Sequence, residues 1–369
     1  MSPFSHRPCL RSPNVSSHLP AQRKMFVALS RFMMLLRVLV CSTILLVLCG
    51  SASPLDDVQK TAEGMLNGAR QLSDIRSPNA PGFRLNVTFS FVGPDLDPLH
   101  GTYTEVWISN AQWRRETVVG DYRNIEIGGP DKYWLIDGGK DLPEEAARVA
   151  TVVDMFPKRS ATIEFETITD LGPTTQCAVT KAEGERHLKH AFCFDKDKHL
   201  LKENVAPQEF FTRAVDYSCH YNRFRKFGDY WFPQEVVCFM DRRQRLEARV
   251  VDLSPEPSPE TALFTPPAGA VGIGDCSVTP VPPEAVSTPQ PRSMLLPSQV
   301  GEHLHLVMVR MVVDTKGKPQ DLRITRSGGK KFDEATLETV RAWRYKPGTC
   351  NGEPMTVLMS TDVKFWTDE

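Results

Sequence analysis

The sequence predicts an α+β chain: an antiparallel sheet meander with covering helices, then a proline-rich linker, then a small ββαβ domain at the C-terminus. Three observations carry this. In residues 83–92, Leu85, Val87, Phe89 and Phe91 alternate without exception with Arg84, Asn86, Thr88 and Ser90, the period of a half-buried strand. Eleven of the 44 residues in 254–297 are proline, a composition that breaks ladders and helices and so divides the chain. Beyond it, 303–365 read as strand, turn, strand, amphipathic helix and strand. With 369 residues, 41% of them hydrophobic, two domains of ordinary size can each build a core. The net charge of -1, with acids and bases interspersed, leaves no electrostatic footprint for nucleic acid.

The N-terminus reads as an export signal, residues 1–52. Arg23, Lys24, Arg31 and Arg37 precede an apolar run at 38–48, and Gly50-Ser51-Ala52 supplies small residues for cleavage after Ala52. A spanning helix needs about 20 apolar residues, so the alternative, an inner-membrane anchor at 32–49, must count across Arg37. Met25 is the alternative start. Leu48 stands before Cys49 where a lipidation signal wants a small residue.

The first domain is expected at 54–253. A helix at 55–74 leads into the alternating strand, and further strands are expected at 101–108, 112–119, 122–127 and 132–136, paired in sequence. A second helix, 143–155, has Pro143 in its first turn and Ala146, Val149, Val153 and Phe156 on one side. A strand at 163–171, two cysteine hairpins and a closing strand at 246–253 complete the sheet.

Six cysteines follow the signal. A two-residue loop at Gly228-Asp229 puts Cys219 opposite Cys238, and a three-residue loop Gly184-Glu185-Arg186 puts Cys177 opposite Cys193. Cys276 and Cys350 are then left for each other, tying the linker to the tail; the alternative is a buried thiol at each position. The linker, 254–297, is expected to be a spacer without ladders.

In the tail, 298–369, the strand at 303–314 runs Val307, Met308, Val309, Met311, Val312, Val313, and Gly317 sits where a hairpin loop needs positive φ. A second strand is expected at 322–326. The helix at 332–343 opens near Asp333-Glu334 and puts Phe332, Ala335, Leu337, Val340 and Trp343 on roughly one face, and Pro347-Gly348 stop it before a final strand at 355–365.

That order, with Trp343-Arg344-Tyr345-Lys346-Pro347-Gly348 directly after the helix, resembles the C-terminal domain of the TonB family, energy transducers that act on outer-membrane receptors. The resemblance implies a non-enzymatic binding module whose last strand takes an extended segment of an outer-membrane receptor or other envelope protein by strand addition. The positions it carries over are Leu296, Pro297, Tyr345, Met355, Val357, Leu358, Ser360 and Val363, with the outward amide expected at Leu358 or Ser360; Leu296-Pro297 stands where the family usually has Tyr-Pro. The first domain is similar to the curved half-barrel of the LolA/LolB lipoprotein-carrier superfamily at Gly101-Thr102-Tyr103, Gln112-Trp113-Arg114, Asp131-Lys132-Tyr133-Trp134 and Tyr230-Trp231-Phe232-Pro233. This resemblance implies an alternative function, a periplasmic carrier or sensor of a hydrophobic ligand; Trp107, Trp113, Trp134 and Trp231 otherwise fill a core.

No cofactor or metal is expected. His187, His190, Cys193 and His199 crowd together, but on a strand His187 and His190 face opposite sides and Cys193 is better used in a bridge. The chain has no phosphate loop, dinucleotide fingerprint or nucleophile elbow. The expected location is the periplasm or cell envelope.

Overall fold

Ala62, Leu66 and Ala69 recur at three- and four-residue spacing in helix α1 (Pro54–Ser73), and all three are buried against the inner face of a large sheet. The computed structural model describes residues 54–367 except 93–97, 138–145, 147, 160, 183–186, 211–212, 257, 277, 279 and 290–302. The expected export signal, the alternative anchor, and Leu296 and Pro297 lie outside the described residues. The chain separates into two compact units, Met1–Asp56 and Asp57–Glu369, and every described strand belongs to the second.

Strand β1 (Phe83–Val92) turns its sequence alternation into alternate burial, with Phe83, Leu85, Val87, Phe89 and Phe91 facing inward. The meander continues antiparallel through β2 (Pro98–Ser109), β3 (Gln112–Val119), β4 (Tyr122–Gly128) and β5 (Lys132–Asp137). Short helix α2 (Val149–Val153) lays Val149 and Val153 on the same core; much of the helix expected at 143–155 lies outside the described residues. A second run follows: β6 (Phe165–Leu171), β7 (Thr175–Thr180), β8 (Ala191–Asp195), β9 (Leu201–Phe210) and β10 (Arg213–Asn222). The small hairpin β11 (Arg225–Phe227) and β12 (Tyr230–Phe232) then leads to β13 (Glu235–Met240) and β14 (Arg243–Pro255). Strand β14 returns to pair with β1 from Phe83↔Pro255 to Phe91↔Leu246, joining both runs into one open sheet with the helices on its inner face.

The turn at Gly228 (φ +57°) closes with Phe227 opposite Tyr230, and the same register carries on to Cys219 opposite Cys238, bonded with their Cα atoms 4.1 Å apart. Cys177 and Cys193 are likewise paired and bonded, Cα atoms 4.0 Å apart, but ladder pairing stops at Val179↔Ala191. The three-residue loop expected there lies outside the described residues.

The linker departs from the expected spacer. Its proline-free stretches form strands: β15 (Val271–Gly274) extends the large sheet by pairing with β5, and β16 (Glu284–Ser287) pairs with β19 (Arg344–Lys346) in the tail. The prolines fall outside both stretches, so each keeps the amides a ladder needs. Cys276 is bonded to Cys350, and Val281 and Thr349 exchange backbone hydrogen bonds at 2.9 Å each.

The tail is a sheet in the order β18 (Pro319–Arg326), β17 (His303–Val313), β22 (Val357–Thr367), covered on one face by helix α3 (Lys330–Arg341). Val307, Val309, Met311, Val313, Val340, Trp343, Tyr345, Val363 and Phe365 form its core. The helix starts earlier than its first acids because Asp333 reaches back, accepting from the Gly328 N–H and the Ser327 hydroxyl. The last strand starts later than expected because the Met355 N–H donates to Gly348 O at 2.8 Å instead of entering the ladder; hairpin β20 (Thr349–Cys350) and β21 (Glu353–Pro354) lies between.

Candidate functional site: the edge of the C-terminal sheet

Strand β22 pairs with β17 over its whole length, from Val313↔Val357 to His303↔Thr367, and stands last in its sheet. Just before it, the Thr356 carbonyl accepts the Gly274 N–H of β15 at 2.8 Å, which fixes the outward parity of the strand. Residues two apart share a direction, so Leu358, Ser360, Asp362 and Lys364 turn their backbone groups outward while Met359, Thr361 and Val363 bond to β17. The amides of Leu358 and Ser360 therefore point the same way and are not alternatives to one another.

The side chains of the predicted positions divide between surface, interface and core. Ser360 is exposed. Leu358 packs with Leu135, Tyr133, Val271, Ile273 and Val312, so that face of the tail rests on β5 and β15. Met355 lies over Gly274, whose absent Cβ would sit 2.7 Å from Met355 Cε. Val357 touches Gly348 in the same close manner. Tyr345 and Val363 are core residues, 8% and 3% exposed, and burial pushes the Tyr345 hydroxyl pKa up. They shape the sheet, with Val363 paired to Val307 of β17 and the Tyr345 N–H donating to Gly317 O at 2.9 Å.

Sequence reading missed a charged row beneath this edge. Glu105, Arg115 and Glu126 are cross-strand neighbours on β2, β3 and β4. The fully buried Glu105 carboxylate accepts from Arg76 Nε at 3.0 Å, Arg76 Nη2, Arg115 Nε at 3.1 Å and the Tyr103 hydroxyl at 3.0 Å. Burial alone raises the pKa of this carboxyl, but Arg76 and Arg115 outweigh it and hold it at about 2. Burial also raises the Glu126 pKa, opposed by Arg115 and, from β17 of the tail, by Arg310, which pairs with Asp321 at 3.7 Å. The signal was present in Tyr103-x-Glu105-x-Trp107 and Trp113-x-Arg115-x-Thr117, charges at inward positions between aromatic or buried neighbours.

The four tryptophans of the first domain pack against neighbouring side chains. Trp107 stacks on Phe83 with ring centroids 5.6 Å apart, and Trp113 lies over the glycine at 128 and beneath Arg115. Trp134 and Trp231 are half-buried, with Lys132 and Lys226 over their rings. Cys193 is used in its bridge, and among the described residues no group of three or more His, Cys, Asp or Glu side chains gathers as a metal set. No helix among the described residues is long and apolar enough to cross a membrane.

Residues 306–366 match the family model for the Gram-negative bacterial TonB protein C-terminal domain, and they fold as the ββαβ tail. The chain thus carries a TonB C-terminal domain. No curated protein matches it in sequence. Among solved structures it is similar to a LolA superfamily protein from Nitrosomonas europaea, at 12% identity over 56% of this chain and 97% of that one, TM-score 0.38. A putative outer membrane lipoprotein-sorting protein domain from Vibrio parahaemolyticus gives 10% identity, 56% and 97% coverage and a TM-score of 0.37. A DUF1329 family protein from Desulfovibrio piger gives 10% identity, 58% and 98% coverage and a TM-score of 0.37.

Proposed function

We propose that this is a non-enzymatic cell-envelope protein of the TonB family that captures an extended segment of another envelope protein, of the outer-membrane receptor type, along the outward edge of β22. One observation carries the reading: an eleven-residue strand closes the tail's sheet with its far side turned away from β17. Such an edge offers a row of backbone donors and acceptors, and an added strand satisfies them while side-chain pockets set selectivity. The alternative is carriage or sensing of a hydrophobic ligand, and lipid co-purifying with the protein would favour it.

The test uses the full chain, immobilised and offered synthetic peptides from the periplasm-facing N-termini of outer-membrane receptors. Ser360→Pro removes an outward donor and should abolish capture while circular dichroism stays unchanged. Met359→Pro removes a donor used by β17 and should unfold the tail. Peptide capture that survives a folded Ser360→Pro variant would place binding elsewhere.

A further inference from the structure

This inference rests on the β22 edge being the binding edge. We propose that residues 271–276 guard the start of that edge, and that the Cys276–Cys350 disulfide is the redox-sensitive latch holding the guard in place.

The guard is built from several independent contacts. The Gly274 N–H occupies the Thr356 carbonyl, the outward acceptor just before the strand begins. The approach is close: a Cβ at 274 would lie 3.2 Å from both Met355 Cβ and Thr356 O. Ile273, 2% exposed, fills the cluster that also holds Leu358 and Val312. A strand adding from Thr356 onward must take the carbonyl that Gly274 holds and displace Ile273 from Leu358. Two anchors resist that movement: the ladder between β15 and β5 on one side, and on the other Cys276 bonded to Cys350 in the hairpin that feeds directly into β22. With the latch closed, strand addition is confined to the part of β22 beyond Leu358.

The three bridges differ in access. Cys177, Cys193, Cys219 and Cys238 are 2%, 2%, 6% and 0% exposed, whereas Cys276 is 8% exposed and Cys350 is only half-buried. A small dithiol therefore meets Cys350 first. Its thiolate attacks the Cys350 sulfur, the S–S bond breaks, and Cys276 leaves as a thiolate that takes up a proton. The second thiol of the reductant then displaces Cys350 as a thiolate, which is protonated in turn. The dithiol supplies both electrons and ends as its own disulfide.

The experiment treats the full chain with graded dithiothreitol, locates reduced pairs by alkylation and mass mapping, and reads amide hydrogen exchange. Cys276–Cys350 should open first, with both hairpin bridges intact, and exchange at 271–276 and 355–360 should then rise by at least about tenfold while 307–313 stay protected. A hairpin bridge opening first, or opening of Cys276–Cys350 without faster exchange, overturns the proposal. None of these readouts uses a partner, so the guard can fail while strand addition stands, and peptide capture can fail while the guard stands.

Discussion

The indole Nε1–H of Trp343 donates to the carbonyl oxygen of Pro289 at 2.9 Å, tying the end of the tail's helix to the linker. The ring itself is 6% exposed within the tail's core. Trp343→Ala should cost about 3–5 kcal/mol in urea unfolding, and Trp343→Phe, which keeps most of the packing but loses the donor, roughly 1–2 kcal/mol. Equal midpoints for native protein and Trp343→Ala would remove Trp343 from the core.

Glu105 gives a pH signature. Its folded pKa of about 2 lies below the usual carboxylate value, so its contribution is complete above about pH 4.5 and is lost as the pH falls toward 2. Glu105→Gln should destabilise by about 3–5 kcal/mol at pH 6, since Arg76 and Arg115 both lose the counter-charge of a fully buried carboxylate. The gap between variant and native protein should shrink steadily between pH 5 and pH 2.5. A gap independent of pH over that range would show that the carboxylate charge is not what the fold uses.

The turn glycine of the tail is held by more than its φ of +74°. A Cβ on Gly317 would fall 1.7 Å from the Tyr345 carbonyl oxygen, while the Tyr345 N–H donates to Gly317 O at 2.9 Å. Gly317→Ala carries roughly 1–3 kcal/mol of backbone strain before the clash is added. Thermal unfolding of the variant should fall below that of Gly120→Ala, where φ is +53° but the space around the Cβ is open.

Chain-entropy considerations order the bridges. Cys276–Cys350 spans 74 residues and the hairpin bridges 16 and 19. Replacing the first by serines should cost about 4–5 kcal/mol and either of the others about 3 kcal/mol, measured by urea titration of the paired serine variants. A larger loss from a hairpin bridge would assign its effect to core packing.

Local patterns were legible, and of the long-range ones only the Cys276–Cys350 bridge, left over once the two hairpin pairs are assigned, could be read. The alternation of Leu85, Val87, Phe89 and Phe91 and the turn at Gly228 depend on neighbours in sequence, and both appear in the structure. Overall proline content hides the linker's strands, because Val271–Gly274 contains no proline and keeps its amides. The Glu105 row escaped because no single strand reveals it: the compensating Arg76 and Arg115 come from a loop and another strand. At the edge, an outward amide at Leu358 or Ser360 was readable, but Tyr345 and Val363 become core only once helix α3 lies across the sheet.

The pairing of β1 with β14 also sets a timetable for the growing chain. Phe83 must wait for Pro255, roughly 170 residues later, before its second neighbour exists. Throughout that interval one long side of β1 lies bare, with Phe89 and Phe91 beside it. So non-local a closure slows folding and lengthens exposure to aggregation. A chaperone that shields this strand until β14 arrives should raise the yield of folded protein more than one acting on the tail, whose β17 and β22 meet after only about 50 residues.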